Sequence, residues 1–278
     1  MADRQLPLPG PVVKKSNALA RASWAIKSVY EPRLVALVAS RVRVDDVDFQ
    51  DYEIPLSELL GATSDGRTRQ LVADVVDGLL GRILTLPRSN GWAKCNVFSW
   101  VEYDGKAGVI RARFDPGLKE HYLDLKSHFT EYSLMEFLCL PSTYSQRLFE
   151  ILKSWDDKPE CKISISDLFT MLDVPETLRR YPDFRRYVLE KAHKDILDKT
   201  SLRYEWEPIK RGRAVFEIRF TFRAARSKKI TTAKQTATSV QNNALLRKAV
   251  ACFKSGSCAP KNSRQCELCQ RLVKQGDG

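Results

Sequence analysis

The stretch IPLSELL, residues 54–60, has a counterpart in ISISDLF, residues 163–169. Both begin with a short alternating pattern that predicts a strand, and both continue into a pattern that predicts a short helix. A serine hydroxyl can accept a hydrogen bond from a free amide at a helix start, so we expect Ser57 and Ser166 to be caps. Gly61 is expected to end the first helix. The two stretches indicate that one local unit occurs twice in the chain.

The same order of elements surrounds both stretches. Each is preceded by an apolar helix and followed by a longer amphipathic helix and two extended runs. These are residues 33–43, 68–80, 96–103 and 109–114 in the first half, and 144–155, 184–197, 202–207 and 214–222 in the second. Helix, strand, helix, helix and hairpin is the order of a winged-helix domain, which is a helix-turn-helix variant. We therefore predict an α+β fold of two tandem winged-helix domains; the alternative is that two unrelated small α+β domains share this order by coincidence.

The repeated unit sets the predicted domain boundaries. Residues 1–14 contain three prolines and are predicted to be a disordered lead-in. Residues 15–130 form the predicted first domain and residues 131–223 the second, joined by a rigid helix over the apolar run 134–140. Residues 224–278 are predicted to be a basic, flexible tail, because their first part is rich in Ala, Thr, Ser and Lys and lacks apolar periodicity.

Charge is distributed unevenly along the chain. The net charge is +12, which indicates a polyanionic partner. From Arg223 onward there are twelve basic and two acidic residues, a charge of +10, whereas the preceding 222 residues carry 34 basic and 32 acidic side chains. The tail is therefore expected to add affinity for any DNA sequence. Binding of DNA by the globular part must depend on local clusters of cations.

The strongest cationic cluster is RRYPDFRR, residues 179–186, which leads into the long helix of the second half. Pro182 suits the first turn of a helix. Helix-turn-helix proteins place the N-terminal part of this helix in the major groove, where arginine can bond both O6 and N7 of guanine. The alternative interpretation is an ordinary solvated charged face. The candidate DNA contacts of this helix are Arg179, Arg180, Arg185, Arg186 and Lys194.

A second cluster, KRGR at residues 210–213, lies between the last two predicted strands. Lys210, Arg211 and Arg213 suit a wing that binds phosphates, because such contacts need charge and reach more than shape. The alternative is a solvated turn. In the first half the comparable positions are Arg67, Arg69 and Gln70. Nearby acidic residues dilute this cluster, so weaker or more phosphate-directed contacts are expected there.

The sequence lacks the residues that catalysis on DNA requires. GATSDGRT, residues 61–68, nearly matches a phosphate-binding loop, but Arg67 stands where lysine is needed. The three histidines form neither a metal-binding pair nor a nucleophile–base arrangement. We therefore predict no enzymatic activity and no catalytic residue. An enzyme that acts on DNA, such as a relaxase or a helicase, is the disfavoured alternative.

Cysteine usage predicts a reducing cytoplasm, because the seven cysteines are odd in number and mostly isolated. Cys266 and Cys269 form a CxxC pair that Cys252 and Cys258 could complete as a zinc site. The alternative is four free thiols, and no other cofactor is predicted. No apolar run of about 18 residues occurs, so no membrane partner is expected.

Four motifs resemble one known family. These are KSNAL at 15–19, STYSQRLFE at 142–150, YPDFRRYVL at 181–189 and KRGR at 210–213. They resemble the initiator replication proteins of theta-replicating plasmids, the family typified by the F-plasmid initiator. Phe149 departs from the family pattern, where tyrosine is common. The resemblance covers about residues 14–222 and excludes the tail.

The resemblance implies a bacterial, cytoplasmic, DNA-associated protein that binds the repeated origin sequences called iterons. The second domain would make the main base contacts, while the first would contact an adjacent stretch and form a dimer. Monomers would open the origin, and dimers would repress the protein's own gene. Implied partners also include the host replication initiator, the helicase and chaperones. The alternative is a winged-helix transcription regulator without a replication role, which binding to a palindrome instead of direct repeats would indicate.

Overall fold

The computed structural model describes residues 10–43, 45–61, 68–88, 90–123, 125 and 128–222. Three groups of predictions lie outside these residues. They concern Arg67 with most of the phosphate-loop-like stretch, the basic tail from residue 223, and the four cysteines Cys252, Cys258, Cys266 and Cys269. The first nine residues of the predicted lead-in also lie outside.

The first half of the chain contains a winged-helix unit with additional elements on both sides. Its elements are, in order, β1 Val12–Ser16, α1 Asn17–Arg21, α2 Tyr30–Ala39, β2 Tyr52–Pro55, α3 Leu56–Leu60, α4 Thr68–Leu80, β3 Ile83–Arg88, β4 Gly91–Asn96, β5 Phe98–Asp104, β6 Val109–Phe114, a 3₁₀ turn Pro116–Leu118, α5 Lys119–Tyr122, β7 Phe129–Ser133 and α6 Leu134–Leu138. Strands β2, β6 and β5 form an antiparallel sheet in that order, and β6 is its central strand.

The second half repeats the unit. Its elements are α7 Thr143–Lys153, β8 Glu160–Ser164, α8 Ile165–Met171, a 3₁₀ turn Glu176–Leu178, α9 Tyr181–Phe184, a π-helical turn Arg185–Leu189, α10 Glu190–Lys199, β9 Tyr204–Arg211 and β10 Ala214–Phe222. Its sheet has the order β8, β10, β9, so the last strand is again central. Buried residues of both halves form one continuous hydrophobic cluster, from β1 to β10.

Strand register supports the internal repeat. Ile54 pairs with Ile110 in the first sheet, and Ile163 pairs with Ile218 in the second. The next residue of each central strand is an arginine that bridges glutamates across the sheet. Arg111 contacts Glu53 at 3.1 Å and Glu102 at 3.2 Å, while Arg219 contacts Glu207 at 2.7 Å and Glu160 at 3.8 Å. Equivalent positions therefore carry the same side-chain arrangement in both units.

The two short helices begin earlier than predicted. Helix α3 is preceded by Pro55, without a side-chain cap, so the prediction that Ser57 caps it is wrong. In the second unit the cap is Ser164, whose hydroxyl accepts from the Asp167 amide at 3.0 Å, and not Ser166. The strand ends at Ser164, so this hydroxyl is the one within reach of the third helical amide. Gly61 ends α3 with φ +76°, as predicted.

Four strands in the first half, β1, β3, β4 and β7, were not predicted. Strand β1 starts at Val12, so the end of the predicted disordered lead-in is instead ordered, and it pairs with β7 from Val12↔Ser133 to Ser16↔Phe129. The hairpin β3–β4 is inserted between α4 and β5, where the second unit has no counterpart among the described residues. The apolar run 134–140 forms only the five-residue helix α6.

A buried ionic cluster joins β1 to α7. Glu150 binds Lys15 and Arg147, and the Tyr132 hydroxyl donates to the same carboxylate at 2.6 Å. Glu150 is 2% exposed, Lys15 4% and Arg147 2%. Burial alone would raise the pKa of Glu150, but the two neighbouring cations lower that pKa below its ordinary value. Burial lowers the pKa of Lys15. The carboxylate is thus the shared counter-ion of two buried cations.

The cluster brings together two of the four motifs on which the family resemblance was based. Lys15 belongs to the stretch 15–19, and Arg147 and Glu150 belong to the stretch 142–150. Arg147 also donates to the Ala22 carbonyl at 2.7 Å, which extends the contact beyond the ion pairs. The buried charged residues of these two motifs therefore hold the protein together.

Candidate DNA-binding interface

The candidate recognition helix consists of α9, the π-helical turn and α10, residues 181–199. Pro182 lies in its first turn, where its missing N–H leaves no helical bond unmade. The predicted buried stripe is confirmed, because Phe184, Val188, Leu189, Ala192 and Ile196 are all at most 1% exposed. Packing of this stripe leaves the opposite, charged face in solvent.

The π-helical turn places Arg185 beside Glu190. Residues five apart are neighbours in a π helix, and single π turns inside α-helices occur frequently at functional sites. The Arg185 Nε donates to a Glu190 carboxylate oxygen at 2.8 Å, and both side chains are about half exposed. The Arg185 guanidinium lies 5.9 Å from the ring centroid of Trp206 on β9. This arginine is therefore held by two neighbours.

The other candidate cations of the helix differ in their partners. Arg186 and Arg180 are exposed and form no ion pair among the described residues, although Arg186 lies 5.5 Å from the Tyr187 ring centroid. Arg179 donates to the Val174 carbonyl at 3.0 Å and pairs with the carboxylate of Glu176. Lys194 pairs with Asp198 at 2.6 Å. Arg186, and Arg180 directly before the helix, are thus the two of these candidate cations that no carboxylate neutralises among the described residues.

The wing is the β9–β10 hairpin, with Lys210, Arg211 and Arg213 exposed at its end. Gly212 makes the turn with φ +62°, a conformation that favours glycine. The Arg211 guanidinium lies 3.6 Å from the ring centroid of Phe216, close enough for a cation–π contact. The hairpin therefore presents three cations together, as the sequence predicted.

Neutralising the wing is expected to weaken binding to all DNA sequences alike. Lys210→Ala and Arg211→Ala should each reduce the slope of log K against log salt by about one unit. The reason is that binding releases fewer counter-ions from DNA when one phosphate contact is missing. Lys162→Ala, on β8 of the same sheet, is the control and should leave the slope unchanged. A salt series by fluorescence anisotropy measures this. Wild-type slopes in both wing variants would mean that the hairpin does not touch DNA.

Among the described residues, the first unit has fewer exposed cations at the start of its long helix than the second unit. Arg69 is exposed in the first turn of α4, while Thr68 before it is buried. Gln70 donates to Asp74 at 2.8 Å, so one polar side chain of this turn is engaged within the helix. Among the described residues, this unit therefore has a weaker candidate surface than the second unit.

Sequence reasoning missed the aromatic partners of the arginines. Alternation along β10 predicts that Phe216 faces the core with Ile218 and Phe220, which are both buried. A register shift between Val215 and Glu217 interrupts that alternation, and Phe216 is 39% exposed instead. A β-bulge changes the direction of a side chain in this way. The residue types in this stretch do not predict the bulge.

The described part of the chain was searched for metal-binding groups and for membrane-spanning helices. It contains no group of three or more His, Cys, Asp or Glu residues that could hold a metal ion. Since the tail cysteines lie outside it, the zinc hypothesis stays a prediction. Within the same residues, no helix combines the length and the apolar character needed to cross a bilayer.

Two solved structures were compared with this fold. The Pi initiator protein, solved in complex with iteron DNA, is similar with a TM-score of 0.63 and 18% sequence identity, over 76% of this chain and 96% of that one. At this identity the likeness establishes a shared fold. Domains 2 and 3 of RctB match with a TM-score of 0.43 and 12% identity, over 79% of this chain and 94% of that one.

Two family models match the chain, one in each half. The model described as Initiator Replication protein, WH1 covers residues 12–153, and the model described as Initiator Rep protein, WH2 covers residues 164–222. Together they span well over half of the 278 residues. The predicted fold of two tandem winged-helix domains and the resemblance drawn from the motifs are both confirmed. This protein belongs to the initiator replication protein family.

Proposed function

We propose that this protein starts plasmid replication by binding repeated double-stranded sequences at an origin. The carrying observation is that, in a chain of this family, the helix 181–199 exposes Arg185 and Arg186 in its N-terminal part, with Arg180 exposed directly before it. Recognition helices use that end to contact base edges in the major groove. The solved complex of the Pi initiator protein with iteron DNA, a protein of the same fold, supports this choice of ligand.

Each unit has a distinct part in the proposal. The second unit reads bases through the helix and holds phosphates through the wing residues Lys210, Arg211 and Arg213. The first unit contributes Arg69, and Arg67 beside it in the sequence, to phosphates of the neighbouring stretch. The proposed role consists of binding, without catalysis by this chain, so the bound DNA should be recovered without strand breaks.

Footprinting of the purified protein on its own origin tests the proposal. We expect protection of tandem direct repeats, with a helical-turn periodicity, and strand opening in an adjacent region. A single protected palindrome without opening would favour the transcription regulator, because a palindrome mirrors a two-fold dimer. A nicked strand within the footprint would contradict the absence of catalysis.

Self-association through the first unit is a further part of the proposal. Strand β5 is an edge of the sheet β2–β6–β5 and exposes Trp100 by 40%. An unpaired edge strand can pair with a second copy. The apolar residues Val97 and Phe98 beside it in the sequence are buried in the core, so of these three side chains Trp100 is the one available to a partner. Sedimentation of Trp100→Ala should show a weaker dimer than wild type, and an unchanged dimer would place the interface elsewhere.

A further inference from the structure

The pair formed by Arg185 and Glu190 carries an inference about how the protein selects its DNA sequence. An arginine reads guanine when both hydrogen bonds form together, which requires a fixed plane for the guanidinium group. The bond of 2.8 Å from Nε to Glu190 fixes one edge of that plane. Among the described residues, the two terminal nitrogens of Arg185 form no bond, so both remain available for O6 and N7 of a base.

The surroundings of the pair favour the same orientation. Trp206, half-buried on β9, lies on one side of the guanidinium with its ring centroid at 5.9 Å. The π-helical turn brings Glu190 next to Arg185, since an α-helical register would place residues three or four apart together instead. The π-helical turn, the Glu190 carboxylate and the Trp206 ring therefore together restrict the orientation of the Arg185 side chain.

The Glu190 carboxylate also acts on DNA directly. It is 47% exposed on the face that the proposed function turns toward the duplex, where it repels phosphates. That repulsion is present with every sequence, whereas the bonds of the oriented Arg185 form only with the right base. A residue that weakens binding to every DNA sequence, and strengthens a contact made only with the cognate base, increases the discrimination between cognate and other DNA.

We propose that Glu190 is a specificity-determining residue, which positions Arg185 for base reading and penalises binding to non-cognate DNA; this rests on the proposed function. A second pair on the same helix provides the comparison. Lys194 and Asp198 are 2.6 Å apart and more exposed, at 76% and 52%, and no aromatic contact to Lys194 occurs among the described residues. Lys194 is itself a candidate DNA contact, but lysine is a point charge without the planar fork of arginine. Asp198 is therefore expected to change the charge of the helix without orienting a base-reading side chain.

The test compares Glu190→Gln with Asp198→Asn, two variants that remove the same charge from the same helix. Affinities of the full chain are measured by fluorescence anisotropy for an origin repeat and for random DNA of equal length. Glu190→Gln should tighten binding to random DNA and lower the cognate-to-random ratio about tenfold or more, within the discrimination of one bidentate contact. Asp198→Asn should tighten both and leave the ratio within about twofold.

A double variant separates positioning from charge. In an Arg185→Ala background, Glu190→Gln should no longer lower the ratio, because the side chain it positions is absent. A ratio that falls equally in both backgrounds, or that changes alike in Glu190→Gln and Asp198→Asn, overturns the proposal. If the wild type itself shows no preference for the repeat, the proposed function fails first, which distinguishes the two failures.

Discussion

Replacing Glu150 with alanine is expected to lower the free energy of unfolding by about 3–5 kcal/mol, the largest effect among the single substitutions considered. The variant leaves Lys15 and Arg147 buried without their shared counter-ion, and the Tyr132 hydroxyl loses its acceptor. Removing one member of a buried ion pair destabilises the protein by more than the net contribution of the intact pair to stability. The reason is that the remaining charge stays buried without a partner. Urea unfolding followed by circular dichroism measures the change.

Glu131→Ala is the matched control. It removes the same side chain from a pair with Lys14 at 3.0 Å, one strand position from Lys15, but both members are about 40% exposed. An exposed pair contributes at most about 1 kcal/mol, so this variant should stay close to wild type. Equal losses in Glu150→Ala and Glu131→Ala would show that burial does not decide the contribution of these ion pairs.

Replacing both Arg185 and Arg186 with alanine is expected to lower affinity for an origin repeat about thirtyfold or more. Each arginine that bonds a guanine contributes about 1–3 kcal/mol of base discrimination. Both side chains are exposed, so the free energy of unfolding should change by less than about 0.5 kcal/mol. Anisotropy titrations against the repeat and against random DNA, together with a thermal melt, measure the two effects.

A charge-conserving control separates base reading from attraction to phosphates. Arg185→Lys with Arg186→Lys keeps both charges but removes the planar fork that bonds two acceptors at once. This variant should bind random DNA nearly as well as wild type and still lose the preference for the repeat. If the lysine variant retains that preference, the reading residues lie elsewhere on the protein.

Local signals in the sequence predicted most of the repeated unit. Helix α4 occupies residues 68–80 as predicted, because its apolar period and flanking residues lie within one stretch. Strand β1 was missed for the opposite reason. Its sequence VVKKS is short and two of its five residues are charged, and its partner β7 lies more than a hundred residues further along the chain. Its alternating burial follows from that distant pairing.

The candidate site shows the same division. The sequence identified the cations at 179–186 and at 210–213, because the charge and the turn preference of a position follow from its residue type alone. The π-helical turn that joins Arg185 to Glu190 depends on backbone geometry, as does the bulge that exposes Phe216. The motif containing Lys15 and the motif containing Glu150 were both recognised, but neither contains a sign that they touch.

The pairing of β1 with β7, and of Lys15 with Glu150, sets an order of events during synthesis. The first strand leaves the ribosome early, and its ionic partner lies 135 residues behind it. At about 5–20 residues per second, translation takes roughly 7–27 s to deliver that partner. Until then β1 can pack on elements made earlier, such as α2 and α5, but Lys15 lacks its counter-ion and for most of that time the strand lacks its sheet partner. A fragment ending at residue 130 would lack most of β7 and all of α7, so fragments made to study the first unit should extend through Lys153.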